Sequence, residues 1–241
     1  LLDDLKIADN TIVIYTCDNG PHYNEWPDGG ISPFRGEKNT NWEGGFRVPA
    51  IVRWPGKIKP GKVSNEIMSH LDWMPTLMAA VGEQDVKEKL FEGHKAVGKK
   101  FKVHLDGYNF LPYLTGQMKE GPRKEFFYFS DDGELVGLRY NNWKLVFAEQ
   151  RARTFRVWSE PFVQLRIPKL FNLRSDPFER ADTDSNNYDT WWIRHAGFAV
   201  AGSQAIVQEF VGTFKEFPAR QKPAKFNVDD VMAVMQNSGS H

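Results

Sequence analysis

The chain has 241 residues, enough for one large domain or two small ones and enough to bury a core without disulfides or structural metal. Lys+Arg and Asp+Glu balance at 31 each, which removes any global-charge argument for nucleic acid or acidic lipid as a partner. A single cysteine rules out an intramolecular disulfide framework, and no apolar run reaches the roughly 20 residues of a spanning helix. An aromatic content of 14% argues against disorder. Bacterial periplasm and cytoplasm both stay open, since many periplasmic proteins also lack disulfides.

Leu1, Leu2, Leu5 and Ile7 read as the tail of an amphipathic helix, with no signal-peptide pattern before them. Residues 11–17 are β-branched without strict alternation, as in a strand buried on both faces of a helix-covered sheet. The run stops at Asp18-Asn19-Gly20-Pro21, dense turn chemistry. After a long Gly- and Trp-containing loop, 48–54 predicts a second buried strand closed by Pro55-Gly56. Over 70–81 the spacing of Leu71, Met74, Leu77, Met78 and Val81 predicts one face of a helix, with Asp72 as N-cap and Gly82 as stop.

Residues 83–104, rich in lysine and acids, read as a solvated excursion, and 105–114 as a short surface helix or turn. Three antiparallel strands are expected over 126–130, 134–140 and 143–147. Asp132-Gly133 and Asn141-Asn142 separate them, residues that tolerate positive φ. Residues 170–173 could add a fourth. One long or broken helix is expected over 188–217, with Trp192, Ala199, Ile206, Phe210, Phe214 and Phe217 on its buried stripe and Pro218 after it. Asn227 could cap a final short helix, and 238–241 reads as a linker or tag remnant. The boundary falls near residue 105, giving an α/β part over 1–104 and a small α+β part over 105–237.

The residues that could carry chemistry cluster between 16 and 49. Asp18 and Asn19 sit where a strand ends, the usual place for ligand sites in open α/β sheets. Their side-chain oxygens are hard donors suited to Ca²⁺ or Mg²⁺, although Asp-Asn-Gly alone is more often a turn. Both can face one ion only if the chain leaves strand geometry, which Gly20 permits. Arg35, Lys38 and Arg47 could surround a tetrahedral oxyanion; otherwise Arg35 and Arg47 pair with Glu37 and Glu43 on the surface. His22 could line the same pocket or lie exposed. His70, His94, His104 and His195 have no metal-site spacing. Trp191-Trp192 suits a helix anchor better than a sugar platform, and Cys17 reads as a small hydrophobe.

Taken in order, Cys17-Asp18-Asn19-Gly20, Lys38 and Glu43-Gly44-Gly45-Phe46-Arg47-Val48-Pro49 resemble the C-terminal half of the sulfatase family, arylsulfatase type, within the alkaline-phosphatase-like superfamily. Leu71-Asp72-Trp73-Met74-Pro75-Thr76-Leu77, Asp106-Gly107, Trp143-Lys144-Leu145, Leu170-Phe171-Asn172-Leu173 and Asp176-Pro177 continue the likeness along nearly the whole chain. The resemblance implies an α/β remnant of the sulfatase domain followed by a small α+β domain with an antiparallel sheet and C-terminal helix. It further implies that Asp18 and Asn19 are calcium ligands and that Lys38 contacts the sulfate. Sulfatases use a formylglycine made within C/S-x-P/A-x-R. Neither Cys17 nor any serine here fits that motif, so the chain alone is expected to lack efficient sulfate ester hydrolysis and to bind Ca²⁺ poorly.

Two other readings follow from the same residues. A phosphodiesterase or phosphonate monoester hydrolase of the superfamily shares the strand-end metal logic. A non-catalytic, self-associating module would retain the fold without the reaction. Strands 11–17 and 48–54 lacking neighbours also predict a homo-oligomer, or a complex with a missing N-terminal half.

Overall fold

The computed structural model describes residues 1–219. The final helix expected around Asn227 and the 238–241 tail lie outside the described residues.

The centre is a four-stranded antiparallel meander in which each strand pairs with the next: β5 (Glu125–Phe129), β6 (Leu135–Tyr140), β7 (Trp143–Glu149) and β8 (Val163–Asn172). Its first two hairpins form where the turn residues predict them, with Gly133 at φ 76° and Asn141 at φ 51°. Successive side chains alternate between faces. Leu145 and Leu170 turn towards helix α6 (Tyr188–Gly212), where they meet Ala199, Trp191 and Trp192. Val146 and Phe171 turn the other way and pack on Trp42 and Leu173. Small residues on α6, Ala196, Ala199 and Ser203, are its buried ones, three and four apart. Trp191 stacks on Trp143 at 5.9 Å, and Trp192 donates from Nε1 to the Pro168 carbonyl at 2.9 Å. The tryptophan pair anchors the helix.

Several expectations are corrected in the N-terminal part. Strands β1 (Val13–Thr16) and β2 (Ala50–Arg53) form where expected, but they pair with each other antiparallel in a two-stranded sheet. They are not buried on both faces. No further strand flanks them among the described residues, so the cross-strand pair Tyr15 and Ile51 lies 59% and 64% exposed. The first residues form a single turn, closed by Leu5 N donating to Leu1 O, before a 3-10 turn at Ala8–Asn10. They do not form a helix tail. Leu1, Leu5 and Ile7 lie exposed and gain no packing to extend it.

Helix α2 spans Trp73–Ala80, after a 3-10 turn at His70–Asp72. Its apolar stripe faces outwards: Leu71, Met74 and Val81 are exposed, while Pro75, Thr76 and Ala79 are buried. Asp72 decides that rotation. It is wholly buried and takes three hydrogen bonds from the Arg123 guanidinium, one from Tyr108 N and one from Ser69 N. A carboxylate so held cannot turn to solvent without stranding a buried arginine. Asp72 stands at the N-cap position of α2, as expected, but without a side-chain cap bond; Ser69 caps the preceding 3-10 turn, accepting from Leu71 N and completing a capping box with Asp72.

Residues 83–104 are largely exposed, as expected, but ordered. They hold α3 (Val86–Glu92) and the hairpin of β3 (His94–Ala96) and β4 (Lys99–Phe101). A turn of helix, α4 (Leu111–Leu114), packs on α2. The remaining short helices are α1 (Glu43–Phe46) and α5 (Ala181–Asp184). No described helix is long and apolar enough to cross a membrane.

Candidate functional site

Chain geometry at the end of β1 is set by close backbone packing. Gly20 N donates to Gly45 O at 2.9 Å, and a Cβ on Gly20 would overlap the Gly44 carbonyl oxygen. Glycine is needed there for proximity, where the sequence suggested turn freedom. The bend leaves Asp18 and Asn19 on the wall of a cavity of about 430 Å³, together with Lys38, His70, Trp73 and Trp158. Asp18 Oδ1 accepts from Asn19 N at 2.9 Å, and Asn19 Nδ2 donates to Gly20 O at 2.9 Å. Tying the amide nitrogen to Gly20 leaves Asn19 Oδ1 without a hydrogen bond among the described residues.

Lys38 is placed by the loop on either side of it. Its backbone N donates to Pro21 O at 2.9 Å, Asn39 Nδ2 donates to Val157 O at 2.7 Å, and Asn41 Nδ2 donates to Ala148 O at 2.6 Å. Asn41 is fully buried and also donates to Val136 O, so this loop is fastened to the two inner strands of the large sheet, β6 and β7. The Lys38 ammonium lies 5.8 Å from the Trp158 ring and makes no ion pair among the described residues. An unpaired lysine beside an Asp-Asn pair suits an anion that brings its own charge.

The other candidates separate from this group. Arg35 stacks over Trp42 at 3.6 Å and pairs with Asp182 at 2.7 Å, while Arg47 lies over Phe34 and is 4.0 Å from Glu43. The expected ring of three cations therefore reduces to Lys38, because aromatic faces and acids elsewhere hold both arginines. His22 donates from Nε2 to Thr154 O at 3.3 Å and packs against Phe155 and Trp158. That places it behind the cavity wall, among the residues that set the wall's shape. Grouped outside metal-binding spacing in sequence, His70 nonetheless lines the cavity and donates from Nε2 to Cys17 O at 2.9 Å, joining strand end to helix start.

Two buried carboxylates lie behind the site. Glu43, on α1, accepts from the Tyr128 hydroxyl at 2.5 Å and pairs with Lys144 at 3.2 Å and Arg139 at 3.3 Å. Glu179 pairs with the same Lys144 at 2.7 Å and accepts from Glu43 N at 2.7 Å. Burial opposes ionisation of Glu43, but Lys144, Arg139 and the Tyr128 hydroxyl together hold its carboxyl below the ordinary range. Burial pushes the Glu179 carboxyl up, against Lys144, and the neighbouring Glu43 charge adds to the rise. This cluster fixes the Gly-rich turn onto β7.

Comparison with known proteins gives a consistent picture. The sulfatase family model matches residues 1–83. Arylsulfatase of Hemicentrotus pulcherrimus is 36% identical over 154 residues, 64% of this chain and 25% of its own length. Arylsulfatase A of Homo sapiens is 33% identical over 189 residues, 74% of this chain and 34% of its own length. Among solved structures, the PsFucS1 sulfatase from Pseudoalteromonas sp. superposes with a TM-score of 0.74 at 25% identity, over 91% of this chain and 40% of that one. This chain thus spans between a quarter and about a third of the length of those two curated relatives. Homology to arylsulfatases reaches well beyond the matched domain, and the chain belongs to the sulfatase family.

Proposed function

We propose that this chain carries part of a sulfuric ester hydrolase site acting on aryl or carbohydrate sulfate esters. Asp18 and Asn19 would hold a hard divalent cation, Ca²⁺ by the family resemblance, and Lys38 would contact the sulfate group. One observation carries the reading: Asp18, Asn19 and Lys38, twenty residues apart, line one cavity. The donor set fits such a cation as part of a ligand shell, since its oxygens are hard and Asn19 Oδ1 is left open by the tie of Nδ2 to Gly20. It is two ligands of the 6 to 8 that Ca²⁺ takes. No group of three or more His, Cys, Asp or Glu able to hold a metal occurs among the described residues.

When bound, the cation would supply Lewis-acid neutralisation of sulfate oxygens. The chain's own residues do the rest of what is assigned here. Lys38, as an unpaired ammonium, holds negative charge on the sulfate as the ester bond lengthens. His70, bonded to Cys17 O, fixes the strand end that carries Asp18. The sequence holds no C/S-x-P/A-x-R motif, so the proposal assigns binding and charge stabilisation to this chain and no nucleophile.

Titration calorimetry of the 241-residue chain with an aryl sulfate, in Ca²⁺-containing buffer, tests this. Binding should weaken at least about tenfold in Lys38→Ala, a loss of about 1.4 kcal/mol. Folding should change by no more than about 0.5 kcal/mol, since Lys38 makes no ion pair. Equal sulfate binding by wild type and Lys38→Ala would remove Lys38 from the site.

A further inference from the structure

We propose that residues 150–160 form a rigid platform for a polyanionic glycan, so that the cavity beside it receives a sulfated carbohydrate chain. The proposal rests on the sulfatase reading for the reacting group, though the platform itself stands on separate observations. Phe155 is 75% exposed and Trp158 52% exposed, both beside the His22 ring. Between and before them, Arg151, Arg153 and Arg156 are exposed. Arg151 and Arg156 each pair with one glutamate, at 2.7 and 2.8 Å, while Arg153 makes no ion pair or side-chain hydrogen bond among the described residues.

Exposed rings on a mobile loop would mean little, but this segment is clamped from beneath. Buried Glu37 accepts from Thr154 N at 2.8 Å, and His22 donates to Thr154 O at 3.3 Å. Asn39 Nδ2 donates to Val157 O at 2.7 Å, Gln150 Nε2 donates to Glu160 O at 2.7 Å, and Val157 is 1% exposed. Thr154 is held at φ 56°, a conformation that β-branched residues rarely adopt and that needs such bracing. A braced backbone showing two rings and three guanidinium groups to water has lost its ordering entropy before any ligand arrives.

The chemistry selects the occupant. Sugar rings present apolar C–H faces that stack on aromatic side chains, and their sulfate or carboxylate groups take bidentate guanidinium bonds. Trp158 belongs both to the platform and to the cavity wall, with its ring 5.8 Å from the Lys38 ammonium. A chain stacked on Phe155 and Trp158 therefore brings one of its sulfates towards Lys38.

Affinity electrophoresis and calorimetry of the full 241-residue chain test this with a sulfated galactan, chondroitin sulfate and fucoidan. Desulfated galactan, polyglutamate and single-stranded DNA serve as comparisons. At least one sulfated glycan should bind, at least about tenfold more tightly than any comparison polymer. Arg153→Ala/Arg156→Ala should weaken it at least about fivefold and flatten its salt dependence. Phe155→Ala should weaken it similarly with the salt slope unchanged. All three side chains are exposed, so the variants should keep the wild-type melting curve. Binding to none of the three glycans, equal binding of DNA or polyglutamate, or wild-type affinity in both variants would overturn the platform. Lys38→Ala separates the two proposals. Aryl sulfate binding unchanged by Lys38→Ala, with glycan binding still lost in the platform variants, removes the Lys38 assignment and leaves the platform. The converse pattern removes the platform alone.

Discussion

Replacing Lys144 by methionine keeps the length of the side chain and removes its charge. The ammonium is fully buried between Glu43 at 3.2 Å and Glu179 at 2.7 Å, with the Tyr128 ring 4.3 Å away. Breaking a buried pair from one side typically costs about 3–5 kcal/mol, because the remaining charge is stranded. Arg139 still reaches Glu43 at 3.3 Å, so only Glu179 is left without a cation, which favours the lower figure of about 3 kcal/mol. For a chain of this size that is a fall in Tm of roughly 6–12 °C. The pH dependence supplies a second test. The lowered Glu43 carboxyl contributes stability that is present above its unfolded value and lost as pH falls through its folded value. Glu179 is raised, so the folded state favours its protonated form and loses stability as pH rises from the ordinary carboxyl value towards the folded one. Without Lys144 the rise in Glu179 grows, and the deficit of Lys144→Met should narrow from pH 8 to pH 5. Adding Glu179→Gln should recover part of it. Urea unfolding at several pH values measures each quantity. A deficit below about 1 kcal/mol at pH 8, or one independent of pH, would refute the account.

Ca²⁺ should bind the chain with a millimolar or weaker dissociation constant, since two protein oxygens leave most of the shell to water. Submicromolar binding abolished in Asp18→Ala would contradict that. Burial raises the Tyr188 hydroxyl to about 12, so its contribution to stability is lost as pH rises from about 10 towards that value. Tyr188→Phe should flatten alkaline unfolding in that window. It should also cost about 1 kcal/mol at neutral pH through the lost 3.0 Å bonds with Leu170 N and O. The exposed pair Tyr15 and Ile51, with Leu71, Met74 and Val81 on and flanking α2, predicts self-association at micromolar concentration. Light scattering that gives a monomer without binding of a hydrophobic dye would contradict it.

Local grammar explains which elements the sequence shows. The hairpins at Gly133 and Asn141 were legible because each needs a positive φ that few residues tolerate, and each turn is flanked by two apolar runs that pair with each other. The anchor role of Trp192 was legible because a large indole on a helix stripe needs both a packing face and an acceptor, here Pro168 O. Orientation of α2 was not. Its apolar periodicity is genuine, yet Arg123, 51 residues from Asp72, holds that carboxylate inside and turns the stripe outwards. Hydrophobic spacing predicts a face, and a buried ion pair of long sequence separation decides which face is used.

The same distinction divides the site. Asp18, Asn19 and Lys38 could be picked out because oxygen donors at a strand end and a cation in a Gly-rich loop carry chemistry by type and place. His70 and Trp158 could not, because what brings them to the cavity is tertiary. His70 arrives through its bond to Cys17 O, 53 residues away. Trp158 arrives on a loop whose backbone hangs from Glu37 and Asn39, more than a hundred residues earlier. Glu37 shows the consequence most clearly. Read alone, it is a surface partner for Arg35; in the fold it is buried, accepts from Tyr23 N and Thr154 N, and leaves Arg35 to Asp182. One buried carboxylate thereby sets both the loop that carries Lys38 and the loop that carries Trp158. The separation between Lys38 and the aromatic wall is fixed by the residue just before Lys38 in the chain, whose carboxylate is bonded to the Thr154 backbone on the loop that carries Trp158.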